Sequence, residues 1–81
     1  MRTPSPPLHL RRFDPGRNMA RFYCLSVENS LFGEVALVRE WGRIGTRGKR
    51  RLDLFGDTAK AEVAMAKLAA AKMRRGYRAI G

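Results

Sequence analysis

The chain is poor in the residues that staple or ligate. One cysteine, Cys24, and one histidine, His9, occur in 81 residues, which excludes an internal disulfide and any zinc site built on several thiolates. Acidic side chains are scarce: 7 stand against 17 basic ones, a net charge of +10 at pH 7 and an isoelectric point near 11.3. Long apolar runs are missing too. No stretch approaches the roughly 20 consecutive apolar residues of a membrane span, and Pro4, Pro6, Pro7, His9, Arg11 and Arg12 interrupt any secretory leader. The glycines match no phosphate-loop or dinucleotide fingerprint, since no Gly-Lys-Ser/Thr and no strand-turn-helix context is present. What remains suffices for one small core, because 44% of the residues are hydrophobic and a second core would need more chain. The composition predicts a cytoplasmic basic mini-domain, free of membrane and open to association with the nucleoid.

The excess charge is clustered. From Arg43 to Arg51 five of nine residues are basic and none is acidic. Lys67, Lys72, Arg74, Arg75 and Arg78 crowd the end of an expected helix, and Arg11, Arg12, Arg17 and Arg21 gather near the N-terminus. Opposing charges are too few to neutralise these groups, so the surface predicts a polyanionic partner, nucleic acid first and an anionic membrane or acidic protein second. Thirteen of the seventeen cations are Arg, whose planar fork suits bidentate phosphate contacts and stacking on bases.

Hydrophobic periodicity divides the chain into short elements. Residues 1–7, with three of the four prolines, read as a flexible arm. Residues 8–13 read as a short strand before the turn signal Asp14-Pro15-Gly16. Residues 20–28 alternate, with Tyr23, Leu25 and Val27 on one face and Phe22, Cys24 and Ser26 on the other. Residues 34–41 are apolar at both parities and predict a largely buried strand. Residues 42–48 carry three glycines and predict a turn, and 49–55 predict a fourth strand. At Gly56-Asp57-Thr58 the period changes. Seven of the thirteen residues from Ala59 to Ala71 are Ala, with Asp57 or Thr58 as N-cap and Gly76 as the residue after the helix. Ala61, Ala64, Met65, Leu68 and Ala71 form its apolar stripe, and residues 77–80 suit an edge strand. The expected fold class is α+β: an antiparallel sheet of four to five strands with one helix on one face, occupying 8–81 as a single domain.

Trp41-Gly42-Arg43 with Gly45 and Gly48 is the most unusual stretch. A large ring beside bare backbone leaves room for a sugar or base to stack, with Arg43, Arg47 and Lys49 in reach of phosphates; equally, Trp41 could be core and the glycines a hairpin. The run Trp41-Gly42-Arg43-Ile44-Gly45-Thr46-Arg47-Gly48, preceded by Arg21-Phe22-Tyr23 and followed by Phe55 and the Ala-rich helix, closely resembles the WGR domain, from about Leu8 to Tyr77. WGR domains are small α+β modules found beside the catalytic domain of DNA-dependent poly(ADP-ribose) polymerases and, in bacteria, within other proteins or alone. In the polymerases the motif Trp packs on the sugar at a DNA strand end, and the motif Arg contributes to DNA and domain contacts. The resemblance implies these roles for Trp41 and Arg43, and DNA contacts for Arg47, Lys49 and Tyr77. It does not extend to a catalytic domain, so polymerase activity is not implied.

The expectation is therefore a non-enzymatic nucleic-acid-binding module, for DNA before RNA and for strand ends or breaks. Its expected contact residues are Trp41, Gly42, Arg43, Arg47, Lys49, Arg50, Arg51 and Tyr77, with no cofactor and no metal. The alternative is an adaptor in which Trp41 and Arg43 anchor an acidic protein. Other residues carry less. His9 reads as a strand or surface histidine without a nearby Cys, and Cys24 as a buried, inert thiol. Met65 and Met73 read as helix packing, and Glu34, Glu40 and Asp53 as cross-strand partners of Arg rather than a carboxylate site.

Overall fold

A computed structural model describes residues 6–29 and 33–80. Of the expected arm only Pro6 and Pro7 are among these, exposed and in no element, and the connector at 30–32 lies outside the described residues. The elements are β1 (Leu8–Asp14), a 3-10 turn (Pro15–Arg17), β2 (Met19–Asn29), β3 (Val35–Arg43), β4 (Lys49–Phe55), α1 (Thr58–Arg74) and β5 (Arg78–Ile80). The strands form one antiparallel sheet in the order β4-β3-β2-β1-β5. The α+β expectation holds, with five strands and one helix.

Alternation decides which face the helix covers. Leu10, Tyr23, Leu25, Val27, Val35 and Leu37 lie on one face and form the core with Ala61 and Ala69 of α1 and with Tyr77. Ala61 is fully buried, so no side chain keeps the helix off the sheet at that point. Leu68 and Met65 pack at the margin of this core, whereas Met73, expected as packing, is 39% exposed. β3 is buried from Val35 to Val38 at both parities, as its uninterrupted apolar run required. Burying side chains such as Leu10, Leu25 and Leu37 stabilises by about 1.5–3 kcal/mol each.

Both helix ends are set locally. Asp57 is the N-cap, its carboxylate accepting from the Lys60 backbone N–H at 2.8 Å. At the other end Gly76 N–H donates to the Met73 carbonyl at 3.0 Å and Tyr77 N–H donates to the Lys72 carbonyl at 3.1 Å. This pair of bonds is a Schellman motif, which needs the left-handed conformation that Gly76 adopts at φ 100°. No helix among the described residues is long and apolar enough to cross a membrane.

One boundary differs from the reading of the sequence in a way that matters. The Trp-Gly-Arg tripeptide was expected at a strand end and turn, yet β3 continues through it to Arg43. The reason is β2: at 11 residues it extends far enough to pair Tyr23 with Trp41, Phe22 with Gly42 and Arg21 with Arg43. The Ile44 N–H then donates to the Ala20 carbonyl at 2.9 Å. The turn proper is residues 44–48.

Candidate functional site

Because β2 and β3 pair in this register, Arg21 and Tyr23 of β2 stand beside Arg43 and Trp41 of β3 on the helix face. The Trp41 ring stacks on Tyr23, centroids 5.9 Å apart and planes inclined by 22°. One side of the indole is thus used by packing, and the residue remains half-buried rather than sealed in the core. Tyr77, delivered by the Schellman turn, is buried and meets Tyr23 edge-on at 6.3 Å. Lys72, one turn beyond Leu68 on the helix's inner stripe, holds its Nζ 4.5 Å from the Tyr23 ring centroid and 5.8 Å from that of Tyr77. Arg21, Tyr23, Trp41, Gly42, Arg43, Lys72 and Tyr77 line one cleft of about 440 Å³.

The glycines make that geometry possible. A Cβ on Gly42 would lie 2.7 Å from Gly48 Cα, and one on Gly48 would lie 2.1 Å from the Trp41 carbonyl oxygen. The backbone therefore folds on itself directly beneath Trp41, in a space that admits no side chain. The turn is tightened by Thr46, whose N–H and Oγ1 both donate to the Arg43 carbonyl, at 3.1 and 2.7 Å. The Arg43 guanidinium donates to the Asn18 carbonyl at 3.5 Å, and the residue is exposed.

Electrostatically the cleft is a cationic bowl on an aromatic floor. Burial pushes the Lys72 amine below its ordinary value, and the nearby Arg75, Arg39 and Arg21 push it further down. A group of positive charges held together against their own repulsion is a site that an anion relaxes. The carbonyl end of α1, with its partial negative charge, is offset here by Lys72 and Arg74 in the last turn.

Of the expected contact residues, Trp41, Gly42, Arg43 and Tyr77 line the cleft together. Lys49 sits beside it, in register with Trp41 on the same face, and Arg47 is exposed on the adjoining turn. Arg51 shares that face but donates to Asp53 at 3.0 Å, and Asp53 also pairs with Arg39 at 2.9 Å. Arg50 is on the opposite face of the sheet, across from Glu40. Arg21, Tyr23 and Lys72 were missed as cleft residues. The spacing Ala61, Met65, Leu68, Lys72 places Lys72 on the inner stripe, and Arg21 has the parity of Tyr23, so the signal was present.

Elsewhere, His9 does have a cysteine beside it, contrary to the reading of the sequence. The β1–β2 register sets it against Cys24, with His9 Nδ1 and Cys24 Sγ 3.1 Å apart. Cys24 is half-buried, and burial followed by the Glu40 charge pushes its thiol up, away from thiolate. Among the described residues no group of three or more His, Cys, Asp or Glu could hold a metal ion.

A profile of the WGR domain matches residues 7–81. The chain belongs to the WGR domain family. A curated relative, the uncharacterized protein y4dW of Sinorhizobium fredii (strain NBRC 101917 / NGR234), is 46% identical over 71 residues, 88% of this chain and 35% of the relative. This WGR chain therefore spans about a third of the length of that relative. No solved structure matches it. No catalytic family is indicated, and a WGR module is compatible with nucleic-acid binding.

Proposed function

We propose that this WGR domain, residues 8–81, is a non-enzymatic cytoplasmic module that binds nucleic acid, with DNA strand ends or breaks as its preferred sites. The observation that carries this reading is the cleft itself: a partly buried indole that packs on Tyr23 and lines one opening with Arg21, Arg43 and Lys72. Inside a duplex every base face is covered by its neighbours, whereas a terminal nucleotide has a free sugar and base face. An indole lining the cleft suits that free face, an interaction of roughly 1–3 kcal/mol per base. The adjacent phosphates fall to Arg21, Arg43 and Lys72, with Arg47 and Lys49 extending the track. Arg50 and Arg51 contribute field rather than contact, the first from the far face and the second through its bond to Asp53. Phosphate contacts position a strand without reading sequence.

The lone indole makes the test direct. Titrating the protein with blunt, nicked, overhanging and circular DNA, and with RNA, while following tryptophan emission should give a large change only where a strand ends. Trp41→Ala should weaken binding to ended duplex about 10- to 100-fold, and binding to a closed circle much less. Equal loss on both overturns end preference; no binding to any polyanion at low salt overturns the function. A stoichiometric acidic protein retained from nuclease-treated lysate by wild type and lost with Trp41→Ala would instead favour the adaptor.

A further inference from the structure

Among the described residues the sheet ends on one side in β4, whose outer edge pairs with no strand. Open edges of this length are templates for another strand unless something guards or covers them. β4 reads Lys49-Arg50-Arg51-Leu52-Asp53-Leu54-Phe55. Alternation places Lys49, Arg51, Asp53 and Phe55 on the helix face and Arg50, Leu52 and Leu54 on the opposite face. Leu52 and Leu54 are 54% and 59% exposed, although they are large aliphatic side chains in regular structure.

The strand is complementary to itself. Laid antiparallel against a second copy with all seven residues overlapping, it has a single register, centred on Leu52. In that register Leu52 meets Leu52 of the second copy, and Arg51 of each copy faces Asp53 of the other. Arg50 lies across from Leu54, and Lys49 across from Phe55, so no like charges are opposed. Shifting the centre by one residue sets Arg51 against Arg51 or Asp53 against Asp53, which is unfavourable. The Asp53 carboxylate is already fixed by Arg39 at 2.9 Å and by its own Arg51 at 3.0 Å, so its position is set before a partner arrives.

We propose that β4 is a self-association edge and that two copies of this chain join through it into a continuous ten-stranded sheet. The contact is two-fold and uses both β4 edges, so it closes at the dimer. The other edge among the described residues, β5, has three residues and begins with Arg78, too short to continue the sheet. Antiparallel partners present matching faces, so both helices and both Trp41 clefts lie on the same side, at opposite ends of the shared edge. The inference does not depend on the ligand of the cleft. With +10 on each copy, salt screens the repulsion between them and favours the dimer, whereas salt weakens any polyanion contact.

Sedimentation or light scattering on the intact chain at low and high salt tests this. The expected result is a species near 18 kDa, twice the 9.2 kDa chain, more populated at high salt, and absent in Leu52→Arg, which opposes two cations on the two-fold. A cysteine pair fixes the register and stands even if that variant folds poorly. In a Cys24→Ser background, Leu52→Cys should form an intermolecular disulfide on mild oxidation. Leu54→Cys should not, because its counterpart lies four residues along, roughly 13 Å away and beyond disulfide reach. A mass of one chain at every salt and concentration, or equal cross-linking at the two positions, overturns the proposal.

Discussion

At the scale of single residues, the chain spends its unusual side chains where backbone and ring must touch. Gly48 carries the sharpest constraint: a methyl there would meet the Trp41 carbonyl oxygen at 2.1 Å and the Phe22 ring at 2.9 Å, at φ 69°. Gly48→Ala should therefore lose about 2 kcal/mol or more in chemical denaturation, and should shift the emission of Trp41 in the folded protein. Lys72 makes a prediction about pH. Its amine is depressed by burial and by Arg75, Arg39 and Arg21, and a phosphate entering the cleft favours the protonated form. Affinity for nucleic acid should therefore fall as pH rises through the depressed value, earlier than for an ordinary lysine. Lys72→Met, which keeps the apolar stem over Tyr23, should bind more weakly at neutral pH and lose that early fall. Cys24 moves the other way. Burial and Glu40 raise its thiol, so the unfolded thiol ionises first. Stability drawn from it is complete below the ordinary value and lost as pH rises toward the folded one. Alkylation by iodoacetamide at mildly alkaline pH should be slower than for a free thiol, and fast labelling would contradict the burial.

At the scale of elements, α1 is a rod whose two ends do different things. Its N-terminus, capped by Asp57, is far from the cleft, while its C-terminal Schellman turn delivers Tyr77 and Lys72 into it. Asp57→Ala should cost about 1 kcal/mol of stability and leave nucleic-acid affinity unchanged. Gly76→Ala should cost a similar amount, since the residue sits at φ 100°, and should also lower affinity by displacing Tyr77 from Tyr23. Paired denaturation and binding curves separate the two ends. These ends were legible in the sequence because caps are local: Asp57, Gly76 and the Ala-rich run between them need no knowledge of the sheet. The alternation of residues 20–28 likewise assigned Tyr23, Leu25 and Val27 to one face. What could not be read was long-range pairing. β3 runs through Gly42 and Arg43 only because β2 is long enough to pair with them. The joining of Arg21 and Lys72 in one cleft depends on that same register. So does the approach of His9 to Cys24, which lie 15 residues apart on adjacent strands.

At the scale of the whole molecule, the antiparallel register sorts charge by position along the strands. The end of β1, the start of β2, the end of β3, the start of β4 and the end of α1 all lie at the Trp41 end. That end gathers Arg12, Arg17, Arg21, Arg43, Arg47, Lys49, Lys72, Arg74 and Arg75 from the three clusters seen in the sequence. Glu28 and Asp57 lie at the other end. Three runs of basic residues that are distant in sequence thus become one field, which on the proposed function would orient an approaching polyanion toward the cleft before any contact is made. Four or five phosphates met by this end imply a slope of about −4 for log affinity against log salt concentration. Arg43→Ala and Arg21→Ala should each make that slope shallower by about one unit and weaken binding to all sequences alike. Arg50→Ala removes the same formal charge from the opposite face, across from Glu40. It should slow association slightly and leave the slope nearly unchanged. If Arg50→Ala flattened the slope as much as Arg43→Ala, phosphates would be touching both faces of the sheet, and the cleft would be one point on a general basic surface rather than its focus.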